Sequence, residues 1–121
     1  MERILFACWL ALAAVHVTPA AVLVAPRLTQ RLYGVAPDGT LGMLIVHRGA
    51  LFLAVVVVAI FAAFAPEARR AASLVVGVSV VAFLIVYTGG GTPDGPLRTV
   101  ALADAAALVP LAVVSWAAWI R

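Results

Sequence analysis

The sequence predicts an all-α fold, an integral membrane four-helix bundle, on three observations. Hydrophobic residues make up 66% of the 121 residues and charged residues only 11%, against roughly 45–50% and 25% in soluble domains. The mean hydropathy is +1.19. Four apolar runs are each long enough to cross about 30 Å of hydrocarbon as a helix, and none shows the two-residue alternation of a barrel strand. A soluble domain of this size hides only part of its surface, so this much apolar area has to face lipid. The same balance excludes a soluble enzyme, a disordered chain, a disulfide-rich secreted module and a DNA-binding domain.

The spans fall over about 4–25, 41–64, 71–88 and 97–120, within a single domain of 1–121. The start of the first run has a competing reading as a signal peptide, with Glu2-Arg3 ahead of the apolar stretch and Thr18-Pro19-Ala20-Ala21 near a cleavage site. The n-region is weakly basic and the apolar stretch continues past Ala21, which favours a span bent near Pro19. Pro110 predicts a bend in the fourth span. The run from Ala65 to Arg70 is a tight polar turn, so the second and third spans form an antiparallel hairpin. Gly89–Pro96 is rich in turn formers. Between Pro26 and Thr40, Leu28, Leu32 and Val35 recur at helical spacing opposite Arg27, Gln30 and Arg31, which predicts a short interfacial helix ended by Gly34 or by Pro37-Asp38-Gly39.

All eight basic residues are arginines, and they are scattered along the chain, so the net charge of +3 is no nucleic-acid footprint. Arg3, Arg69, Arg70 and Arg121 flank the terminal side, whereas Arg27, Arg31 and Arg98 flank the other, which by the positive-inside rule puts both termini in the cytoplasm of a cell inner membrane. Trp9, Trp116 and Trp119 are expected to mark the interface on the terminal side, with Phe52, Phe61, Phe64 and Phe83 packing or facing lipid. The lone Cys8 excludes an intramolecular disulfide. Small residues four apart, Ser73/Gly77, Ala101/Ala105 and Ala103/Ala107, predict close helix approach.

Ionisable side chains inside spans are costly and point to function. There are four: His16, His47, Arg48 and Asp104. Counted along their helices, His47, Arg48 and Asp104 lie roughly 9–10 Å, and His16 roughly 13 Å, below the surface that bears Arg27 and Arg31. Tyr87 reaches the same side. The polar groups therefore gather in one leaflet, read as the outer one. Two explanations stay open. Arg48 and Asp104 can be an ion pair that only fixes helix packing, in a structural partner subunit. Alternatively the cluster is a polar pocket for a lipid headgroup, a quinone or another amphiphile, closed by Tyr33, Arg27 and the glycine loop. A metal site of His16, His47 and Asp104 is opposed by the adjacent Arg48, and nothing beyond the two histidines marks a haem cavity. No catalytic motif is present, and His47-Arg48-Gly49 does not give the His-x-Gly-His signature of nucleotidyltransferases.

Leu32-Tyr33-Gly34 after the first span, His47-Arg48-Gly49 early in the second, and Arg98 followed by Leu102-Ala103-Asp104 in the fourth resemble the DoxX-like superfamily of small bacterial membrane proteins. The resemblance extends over nearly the whole chain. It implies a four-helix membrane bundle. With the buried polar cluster, the reading is a binding or accessory subunit, with the lipid bilayer, a membrane-protein partner or a second copy around it. The superfamily's links to thiosulfate oxidation with quinone as acceptor, and to thiol stress, imply a membrane redox or quinone-binding alternative. This chain has no thiol near the polar cluster.

Overall fold

A computed structural model describes all residues, Met1–Arg121. It is 83% helical with no strand. The helices are α1 (Glu2–Ala21), α2 (Leu28–Tyr33), α3 (Gly39–Phe64), α4 (Arg69–Gly89) and α5 (Pro96–Trp119), with a 3-10 turn at Pro66–Ala68 between α3 and α4. Helices α1, α3, α4 and α5 are each long and apolar enough to cross a membrane. Only 25 of the 121 residues are buried, while Leu44, Leu51, Val57, Phe61, Val78 and Ile85 are among many large apolar side chains left outside. An apolar exterior around so small a core belongs in lipid, and the chain is a small multi-pass membrane protein.

The four long helices close a ring in which α1 packs on α3 and α5, and α4 on α5 and α3. One end, the terminal end, carries both termini and the 3-10 turn; the other carries α2 and the 90–95 loop. The first span stops short of the expected limit. After Pro19, which has no N–H to donate, the chain tightens into three-residue turns, Leu23 to Ala20 and Val24 to Ala21 (both 3.1 Å), and leaves the helix at Ala21. The short interfacial helix ends where Gly34 supplies a left-handed residue at φ 69°. Its inward anchor is Thr29, fully buried, whose hydroxyl donates to the Val35 carbonyl at 2.7 Å. Leu28 and Leu32 are only half-buried.

Trp9 departs from its expected place at the interface. It lies in the core with Leu5 and Leu12, because positions 5, 9 and 12 share the inward face of α1. Trp116 and Trp119 are half-exposed at the terminal end. That end is tied by arginines. Arg69 donates to the Ala62 carbonyl (3.1 Å) and pairs with Glu2 (2.9 Å), and Arg70 donates to the Ala118 carbonyl (2.9 Å). Both satisfy carbonyls that the C-termini of α3 and α5 leave without helical partners. Trp119 Nε1 donates to Ser73 Oγ at 2.9 Å, joining α5 to α4.

Of each small-residue pair on α4 and α5 one member is buried, Ser73, Ala101 and Ala107, while a Cβ at Gly77 would meet nothing and Ala103 and Ala105 face outward. Gly42 is tight against the chain just before α3, where a Cβ would run into the Pro37 carbonyl carbon. The tight contact toward α1 is Gly49, where a Cβ would come 3.4 Å from the Pro19 carbonyl and 2.9 Å from the backbone nitrogen of Leu23 just past the helix. Buried Gly49, Val56 and Ala63 repeat every seven residues along α3, the spacing of a helix seam. Gly49→Ala is therefore expected to lower thermal stability in detergent, at a cost of about 1–3 kcal/mol for overpacking against a backbone. Gly77→Ala should raise it by up to about 1 kcal/mol through helix propensity. Equal melting temperatures for Gly49→Ala and the parent would remove α1–α3 contact as the organising seam.

Candidate functional site

The polar groups of the spans gather toward the α2 end, where α1 and α4 finish and α3 and α5 begin. His16 is buried on α1. Its Nδ1 lies 2.8 Å from the Leu12 carbonyl, which can only accept, so the proton is assigned to Nδ1. Its Nε2 then accepts from the Ser79 hydroxyl of α4 at 3.1 Å. The imidazole is thus satisfied as a neutral ring, and it lies 5.8 Å from the Phe52 ring.

Arg48 is half-buried on α3. Its guanidinium carbon stands 4.8 Å from the centre of the Phe52 ring, 5.4 Å from Tyr33 and 5.6 Å from Phe83. Three helices, α2, α3 and α4, thereby supply a cage of ring faces to one cation. An arginine within a span costs roughly 2.5–3.5 kcal/mol on insertion scales, and cation–π contact shielded from water contributes about 2 kcal/mol or more. The rings offset much of the cost without occupying the N–H edges of the guanidinium.

Arg48 and Asp104 do not form the contact pair expected from their matched depths. The ion pairs of the structure are Arg69–Glu2 and Arg98–Asp94, both at the ends of the bundle. Asp104 is buried on α5 and Arg48 is turned to the aromatic cage. Equal depth fixes height along the bundle and leaves rotation about each helix open. Rotation also decides His47. With about 100° per residue, the position two before Gly49 lies on the opposite side of α3 from α1, and His47 is exposed there. His16 and His47 therefore do not face a common ligand, and no group of three or more His, Cys, Asp and Glu side chains converges.

Beside the cage runs a cleft of about 620 Å³ along the seam of α3 and α4, the sparsest of the four helix seams. Leu51, Val55, Val75 and Val78 make its walls apolar, with Arg48 and Ser79 as its polar groups. Tyr33 belongs to the cage, and burial pushes its phenol above the ordinary value of 10.0, while Arg48 opposes the shift and Asp104 adds to it. It stays a neutral hydroxyl at physiological pH. Arg27 is exposed at the start of α2. Tyr87 donates to the Pro93 carbonyl at 2.8 Å and lines a separate hollow of about 610 Å³ with Thr92, Asp94 and Arg98. The glycine loop thus closes over the α4–α5 side and not over Arg48.

No protein-family model, curated protein or solved structure matches the chain. Sequence reasoning passed over Ser79, Phe52 and Phe83. The serine carries a signal, a single hydroxyl in the apolar run Val75–Val86, but counting ionisable groups alone leaves it out. The two phenylalanines look like any lipid-facing ring until the fold places a cation against them.

The His16–Ser79 bond joins α1 to α4 across the bundle. His16→Phe should destabilise the protein by about 1–3 kcal/mol, since it strands the Ser79 hydroxyl. Adding Ser79→Ala should return part of that loss, a coupling that a double-mutant cycle of melting in detergent measures directly. Strictly additive losses would mean that the two side chains do not bond.

Proposed function

We propose that this chain is a binding or accessory subunit of the DoxX-like type that holds an amphiphile in the cleft between α3 and α4. The observation that carries this reading is a cleft with almost wholly apolar walls, opening between two spans and headed by a guanidinium. Pockets for small amphiphiles have this composition, apolar walls with a few placed polar groups. Its lateral position gives access from the bilayer. A quinone or lipid fits the description, whereas a thiol redox step does not: Cys8 lies on a shallow groove of α1 and α5 beside Arg3 and Val109, toward the terminal end.

Native mass spectrometry of the protein in mild detergent tests the reading. An adduct of lipid or quinone mass is expected on the parent. Filling the cleft by Ala82→Phe, at an exposed lining position, should remove the adduct and leave the melting temperature within a few degrees. Retention of the adduct in this variant would place its binding elsewhere.

The arginine balance, four on the terminal side against three on the other, supports cytoplasmic termini in a cell inner membrane, with the cleft in the outer leaflet. A cysteine at Gly90, in the loop after α4, is then expected to react with an impermeant thiol reagent applied to intact cells, with Cys8 replaced by Ala. Labelling only after the membrane is opened would reverse the orientation.

A further inference from the structure

Resting on the cleft reading, we infer that the occupant is an acyl amphiphile with an anionic head, a carboxylate or phosphate that docks on the Arg48 guanidinium with its chain lying between α3 and α4. Arg48 makes no ion pair and donates no side-chain hydrogen bond, whereas Arg69 and Arg98 each pair with a carboxylate and Arg70 donates to a backbone carbonyl. Its three aromatic neighbours present ring faces, which stabilise the charge without accepting from the planar fork of five N–H donors. A fork held in place with its donors free matches the two oxygens of a carboxylate or phosphate, the partners that guanidinium groups bind side by side.

The rest of the cleft fits a chain in place of a second polar group. From Arg48 the lining continues along α3 through Leu51 and Phe52 to Val55, and along α4 from Val86 through Phe83 and Ala82 to Val78 and Val75. On α3 that is seven residues, about 10 Å of apolar wall below the cation. The polar group at mid-depth, the Ser79 hydroxyl, has its proton committed to His16. The cleft thus offers an anion only one strong donor set, and it sits at the end nearer the membrane surface. A neutral head would bring the guanidinium no anionic oxygens, a zwitterionic head would bring its own cation along with them, and a quinone would offer only carbonyl oxygens.

Photo-crosslinking separates the head from the chain. The full-length protein in neutral detergent is exposed in parallel to four probes with the same diazirine-bearing acyl chain: a fatty acid, the matching fatty alcohol, a phosphatidic acid and a phosphatidylcholine. Crosslinks are mapped by peptide mass spectrometry. Labelling of the Val75–Val86 and Leu51–Val55 segments about tenfold stronger with an anionic probe than with its neutral or zwitterionic counterpart supports the inference. Whether the fatty acid or the phosphatidic acid leads then tells a free acid from a bilayer lipid. Arg48→Gln should erase the preference, and Arg48→Lys should keep part of it. The head-group comparison on the parent decides the matter even if Arg48→Gln fails to accumulate. Equal labelling of the cleft by acid and alcohol would overturn the anionic head while leaving an amphiphile in the cleft. Labelling that avoids the cleft with every probe would overturn both.

Discussion

The contact between Gly49 and the backbone of Leu23 fixes the rotation of α3, and most of the site follows from that rotation. Helices in lipid gain little from the hydrophobic effect and associate through close packing of small residues. Along α3 the small buried residues Gly42, Gly49, Ala59, Ala62 and Ala63 are turned inward. With Gly49 against α1, the preceding residue lies about 100° round the helix, where Arg48 meets Tyr33, Phe52 and Phe83. One residue further back, His47 passes to the outside. The neighbours of one cation are thus set by a glycine on another face of the same helix.

Beside this close seam the α3–α4 seam is sparse, although a turn of a few residues joins the two helices. At the terminal end the opening is closed by the 3-10 turn and by Arg69, which bonds the Ala62 carbonyl at the end of α3. At the α2 end no such ties join α3 to α4, and a caged guanidinium stands there. Arg69 and Arg70 have hydrogen-bond acceptors, as Arg98 does at the α2 end, whereas Arg48 has ring faces alone.

The four spans were legible in the sequence because length and apolarity are properties of a run, read without knowing its neighbours. The gathering of His16, Arg48 and Asp104 toward one end was legible for a related reason: alternating direction converts sequence position into depth. Rotation was not legible. In a chain this rich in alanine and valine, inward and outward faces carry nearly the same residues, and pairs four apart arise on faces that touch nothing, as Gly77 does. Hence matched depth suggested an Arg48–Asp104 contact that the bundle does not make. Trp9, assigned to the interface by residue type, packs inside with its indole N–H lacking a hydrogen-bond partner. The short interfacial helix was placed by its punctuation at Gly34, but its anchor, Thr29, is a polar residue that a search for apolar spacing passes over.

Arg48 remains charged in a setting that disfavours charge, and the means of tolerating it bear on what the site is for. A structural cation is normally neutralised: the buried pairing of arginine with a carboxylate satisfies both partners and holds two helices in register. Asp104 stands on α5 within electrostatic reach of Arg48 itself, yet the two form no contact pair. The bundle instead surrounds the guanidinium with three rings from three helices and leaves its N–H edges beside an apolar cleft. Ring faces hold a cation in place while leaving its hydrogen-bonding capacity unused. For helix packing alone that capacity is a cost with no return, since an apolar residue of similar volume would fill the cage without desolvating a charge. For binding it is the useful property, because the donors are oriented before a ligand arrives and the ordering of a long side chain is already complete. The aromatic cage, more than the depth of the charge, is what supports the proposal of a binding site over a brace.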